Sequence, residues 1–231
     1  MLKSLFRLAG PALAAYGAVA LADRIVHDWG ATTAEITSTL PGDDLVPDMG
    51  AQSTMAVTIN APTGAVWPWL VQMGCGRAGW YSYDSLDNGG VASATRLLPE
   101  FQDIAPGYVI PADPKNRIGF PVLLVEPEQA LVLGKVVDSS DRRSVEYPGI
   151  RGRLVWSFHL REPVAGATRL IVRTRSAPQP VFERLLGPIW GCVHAFMQRK
   201  QLRSIKQRAE YAISRRLIVA PRVRPEAREA G

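Results

Sequence analysis

Cysteine is scarce: only Cys75 and Cys192 occur in 231 residues, too far apart for a disulfide framework. Zinc sites need clustered Cys/His ligands, and the three histidines, His27, His159 and His194, are scattered as well, so no metal is expected. No Gly-rich phosphate loop follows a strand of a βαβ unit. The one glycine-dense stretch, GCGRAG at 74–79, is not such a motif, and no nucleophile elbow is present. No cofactor is expected. Aromatic residues make up 8% of the chain, and between 199 and 231 the only one is Tyr211, so stacking platforms for nucleic acid are missing from its most basic region.

Charge is unevenly placed. Residues 199–231 carry ten Lys/Arg against Glu210, Glu226 and Glu229, which makes this stretch +7 and leaves −1 for the rest of a chain whose total is +6. The body is near neutral and the cationic footprint is local, which argues against a nucleic-acid partner and for a surface contact at one end.

The apolar run near the N-terminus is short. Lys3 and Arg7 precede Leu8 to Ala22, LAGPALAAYGAVALA, which stops at Asp23 and Arg24. Fifteen residues at about 1.5 Å each reach about 22 Å, against a hydrocarbon core of roughly 30 Å. A span would recruit Ser4 to Phe6 and let the flanking cations snorkel. Three readings stay open for residues 1–22: an uncleaved anchor, a secretory signal ending at Ala20-Leu21-Ala22, or a soluble helix packed on the domain. The first two place the domain outside the cytoplasm, the third allows a cytoplasmic protein, and an anchor makes the membrane a partner.

Residues 23–50, ending in LPGDDLVPDMG, read as a linker rich in Pro, Gly and Asp. A strand of period two follows, with Met55, Val57 and Ile59 alternating against Ala56, Thr58 and Asn60. Residues 63–73 read as a helix that Pro68 shortens or kinks, and 82–88 as a second short one. Strands are expected at 107–111, 120–126, 130–137, 152–161 and 167–176, an antiparallel meander. In the fourth, Leu154, Trp156, Phe158 and Leu160 share a buried face, leaving Arg153, Val155, Ser157, His159 and Arg161 wet. Arg169, Arg173 and Arg175 read likewise as a solvated outer face. From Val181 to Leu217 the period is helical, through Leu185, Ile189, Val193, Phe196, Met197, Leu202, Ile205, Ala209, Ala212 and Ile213, with a break expected at Gly187-Pro188. Residues 218–231 read as a disordered basic tail.

The most distinctive cluster is Arg77, Trp80, Tyr81, Tyr83 and Asp84, between glycines. Such a set beside a cavity can orient a polar head group or exchange protons; equally, Asp84 and Arg77 can pin a loop while Trp80 plugs the core. Trp156, Phe158, Phe196 and Met197 are candidates for a cavity lining or for plain core. His194 reads as a base or as an ordinary helix histidine. The basic face of the last helix reads as solvated or as lying on anionic phospholipid.

TLPGDDLVP at 39–47, INAPTGAVWPWLVQMG at 59–74, GRAGWYSYDSLDN at 76–88, LPE at 98–100, TRLIVRTR at 168–175 and QRKQLRSIKQRAE at 198–210 together resemble the START-related, Bet v 1-like (SRPBCC) superfamily, in a bacterial branch of undefined role. The resemblance implies an α+β helix-grip fold over 51–217: a curved antiparallel sheet wrapped around the last helix, with a hydrophobic small molecule or lipid held between them. Ligand contacts are then expected among Arg77, Trp80, Tyr81, Tyr83, Asp84, Trp156, Phe158 and Phe196. Three functions follow: a membrane-tethered binding module, a cyclase or hydratase using Tyr81, Tyr83 or Asp84, or a non-catalytic structural or interaction protein of the envelope.

Overall fold

The computed structural model describes residues 16–19, 26–135, 137–138, 154–178 and 181–219, the side chains of 137–138, 181–186 and 216–219 excepted. Of the predicted N-terminal segment only 16–19 fall inside this set, and they are helical. Among the described residues no helix is long and apolar enough to cross a membrane. The predicted tail from 220 onward lies outside the set.

The order of elements is α1 (Thr33–Thr37), β1 (Ala51–Ile59), α2 (Thr63–Val71), α3 (Asp84–Asp87), β2 (Val109–Pro111), β3 (Ile118–Glu126), β4 (Ala130–Gly134), β5 (Val137–Asp138), β6 (Leu154–Val164), β7 (Ala167–Ser176) and α4 (Val181–Val219). The strands form one antiparallel sheet ordered β1-β7-β6-β4-β3-β2, with β5 paired to β3. A strand, two short helices, further strands and a closing long helix make an α+β arrangement consistent with a helix grip.

Alternation decides what meets α4. The β6/β7 register pairs Leu154 with Ser176, Phe158 with Val172 and Leu160 with Leu170, so even-numbered residues of both strands share the inner face. Phe158, Leu160, Leu170 and Val172 there join Met55 and Ile59 of β1, Val66, Trp69 and Leu70 of α2, and Leu202, Ile205 and Ala209 of α4 in the main core. Pro62 precedes α2, and Pro68 lies inside it without ending it before Val71.

Three expectations need correction on the outer face and in α4. Val155, Ser157 and His159 are buried, not wet. So is Arg173, at 1% exposure. The reason is the segment read as a linker: it folds back as a strap across the sheet. Thr32 caps α1 in a reciprocal box with Glu35, and the strap sinks Leu40, Asp43 and Val46. The β7 arginines clamp it. Arg169 makes a bidentate pair with Glu35 at 2.7 and 2.8 Å. Arg173 donates to Asp43 Oδ2 at 2.6 Å and to the carbonyls of Glu35, Ile36 and Ser38, closing the C-terminal end of α1. Arg175 donates to the Val46 carbonyl at 2.9 Å. Finally, α4 runs unbroken from Val181 to Val219 with Pro188 inside it. A proline in its second turn forfeits one backbone hydrogen bond and does not stop the helix.

Candidate functional site

The inner face of the sheet is not filled throughout. Past the core, towards the first half of α4, lies a cleft of about 970 Å³, at the upper end of the roughly 300–1,000 Å³ usual for small-molecule sites. The sheet contributes Phe120, Leu154, Trp156, Thr174 and Ser176; α4 contributes Pro188, Trp190, His194, Met197, Gln198 and Gln201; Trp80, Ser82, Leu86 and Asp87 come from the connection between α2 and β2.

Its wall is aromatic. Trp80, Phe120 and Trp156 pack mutually with ring centroids 5.2–5.5 Å apart, and His194 meets Trp156 edge-on at 6.2 Å. A hydrogen-bonded relay stands beside it. Trp156 Nε1 donates to Gln198 Oε1 at 2.9 Å, Gln198 Nε2 to Gln201 Oε1 at 2.7 Å, and Gln201 Nε2 to the Trp80 carbonyl at 2.9 Å. Both glutamines are buried, so each satisfied bond avoids the cost of a stranded amide and ties sheet, helix and loop together.

The electrostatics favour uncharged guests. Among the described residues no Lys or Arg lines the cleft. Burial pushes His194 down to about 4, which keeps its imidazole neutral at pH 7. Burial, with Asp84 nearby, pushes Asp87 up to about 6, and its Oδ1 is buried with no hydrogen-bond partner among the described residues. A carboxyl whose pKa lies at about 6 exchanges its proton just below neutral pH, the range useful to a general acid or base.

The structure divides the residues expected at the site. Trp80 and Trp156 line the cleft; Phe158 does not, lying beneath Trp156 in the core at 5.0 Å. Arg77 turns away: it donates to the carbonyls of Val71, Met73 and Phe101, each at 3.0 Å, and stacks on Phe101 and Tyr108. It thus closes the C-terminal end of α2. Tyr81 is fully buried at φ 59°, with its hydroxyl accepting from Gln72 Nε2 at 2.7 Å and Arg208 over its ring. Burial raises its phenol far above the usual range. Asp84 accepts from the Ser93 amide and hydroxyl. Tyr83 stacks on Phe196 at 4.7 Å, and Phe196 faces out. Gly79 makes this packing possible, because at φ 77° a Cβ there would lie 2.3 Å from Ser93 Oγ. Arg77, Tyr81 and Asp84 therefore organise the loop that delivers Trp80, Ser82 and Asp87.

Gln198, Gln201, Phe120, Ser82 and Asp87 are cleft residues the sequence reading passed over. The glutamines left a trace: two polar residues three apart on the stripe that also carries Leu202 and Ile205. Asp87 left none.

No protein-family model and no curated protein matches the chain. Solved structures do match over much of its length at low similarity. Protein MLL2253 from Mesorhizobium loti is 18% identical with a TM-score of 0.39, covering 71% of this chain and 98% of that one. CalU16 from Micromonospora echinospora is 12% identical, with a TM-score of 0.33 and coverages of 71% and 86%. PFC0360w, an HSP90 activator from Plasmodium falciparum, is 10% identical, with a TM-score of 0.39 and coverages of 64% and 89%. At these scores none of them fixes a function for this chain.

Proposed function

We propose that the protein is a binding module of the SRPBCC type that holds an uncharged hydrophobic small molecule or lipid between the sheet and α4, and that its N-terminal apolar run keeps it at a membrane. The observation that supports this most is the aromatic cleft, whose described lining holds no Lys or Arg. An apolar guest gains from leaving water there, whereas an anionic head group would meet no cationic side chain among the described residues. The relay of Trp156, Gln198 and Gln201 gives such a guest one polar contact for orientation. The test is to purify the full chain without detergent exchange and extract it for mass spectrometry. A stoichiometric apolar compound is expected; a chain that carries none and takes up none from a panel of neutral lipids is not such a module.

One observation favours a second reading, an acid–base enzyme. Asp87 combines burial, a raised pKa and a place in the cleft, which Tyr81, Tyr83 and Asp84 lack. Under this reading Asp87→Asn abolishes conversion of the bound compound while leaving its binding intact. Under simple carriage the compound recovered is the same from both proteins.

A further inference from the structure

Several large apolar side chains in the first half of the last helix are exposed. Ile189, Val193 and Phe196 point to solvent, Phe196 at 60%, and Trp190 beside them is 67% exposed. Steps of four and three residues keep 189, 193 and 196 on one face, and the next step of four reaches Lys200, also exposed. Opposite, Leu86 of α3 is 68% exposed. Leu86 and Trp190 are also cleft residues, so the apolar patch borders the cleft on this side. An exposed cluster of this size at the mouth of an apolar cleft is not ordinary surface.

We infer that this patch seats the mouth of the cleft on an anionic phospholipid surface, a step that rests on the ligand-binding reading above. A helix face that passes from large apolar side chains, with Trp190 beside them, to lysine matches the passage from acyl chains to phosphate in a bilayer. A second copy would meet the patch with the same apolar stripe and the same lysine. The chain's own course agrees: Cys192 Sγ lies 3.7 Å from the Val19 carbonyl, so the described residues 16–19 of the uncharged run meet α4 at this turn. Docked in this way, the entrance opens onto lipid, and an apolar guest passes between bilayer and cleft without crossing water.

The experiment uses the full chain with vesicles of brominated phosphatidylcholine, alone or mixed with phosphatidylserine, because bromine quenches indoles only on contact. Quenching is expected to increase with phosphatidylserine, and Trp190→Phe is expected to lose most of it even though the N-terminal segment is unchanged. Phe196→Glu should slow transfer of a fluorescent fatty alcohol from vesicles to the protein by about tenfold or more, the effect of removing one large buried apolar side chain from the contact. Its uptake of the same probe from free solution should match the wild type. Equal quenching in Trp190→Phe, or vesicle transfer at the wild-type rate in Phe196→Glu, overturns the inference. Absence of quenching in a protein that elutes as a dimer assigns the face to a second copy and also overturns it. A protein that takes up the probe by neither route sinks the ligand-binding reading, and the quenching comparison still decides the docking.

Discussion

Arg173 shows how much a single side chain can conceal in sequence. On β7 it alternates with apolar residues, the pattern of a solvated face, and nothing local announces that Asp43, 130 positions earlier, returns to cover it. Replacing it with alanine leaves the buried Asp43 carboxylate with the Leu40 amide and the more distant Arg175, 3.6 Å away, and takes from the Ser38 carbonyl the guanidinium it accepts from; a loss of roughly 3–5 kcal/mol is expected, read from the urea midpoint. Arg173→Lys should recover little, since one ammonium cannot span Thr54, Asp43 and the end of α1. His159 was equally opaque: it is buried under the strap beside Ser157, and burial with the Arg173 charge lowers its pKa from 6.5 to about 4. The unfolded chain therefore takes up a proton below pH 6.5 that the folded one refuses until about 4. Stability from this group is whole above pH 6.5 and fades as pH falls towards 4, by up to about 3 kcal/mol. Glu35, held down to about 2 by Arg169, loses its contribution only from about pH 4.5 downward. Asp87 works in the opposite direction between 6 and 3.8. Denaturation curves at pH 7 and pH 5 should show a net fall, smaller than the histidines alone would give.

Among elements, existence was easier to read than orientation. The alternation of β1, the helical period from Val181 onward and the turn signals between strands locate most of the elements to within a few residues. Which side of α4 is buried did not follow, because Ile189, Val193 and Phe196 on one face and Leu202, Ile205 and Ala209 on roughly the opposite one both recur with the helical period, and only the second set is buried. Period reports a helix and not its neighbour. The strap was missed for another reason. Thr32-Thr33-Ala34-Glu35 is a capping-box signature, but it lies in a stretch whose prolines and glycines otherwise read as connector. Removing the cap with Thr32→Ala should cost about 1 kcal/mol, measurable by thermal unfolding. In α4, backbone amides between 198 and 209, packed in the core, should exchange with deuterium more slowly than those between 189 and 196, which border the cleft.

For the whole molecule, element order was enough to expect a sheet gripping a helix, yet no pattern distinguished a packed interior from one with room in it. Trp156 and Phe158 both read as lining; one borders space and the other is core. That difference depends on which neighbours pack against each ring, and these come from segments far apart in sequence. Met197→Trp should place extra bulk in the cleft and lower the amount of ligand recovered with the purified protein several-fold, with little change in thermal stability because the site is not close-packed.

The shared numbering parity of β6 and β7 makes two surfaces independently editable. Even positions such as 154, 156, 174 and 176 belong to the cleft, while odd positions 159, 169, 173 and 175 belong to the strap and its clamp. A library randomised only at 154, 156, 174 and 176 would remodel the cleft at constant anchorage, leaving the even core positions 158, 160, 170 and 172 untouched. Lineages diverging from this chain are free to reshape the cleft while inheriting the outer shell intact.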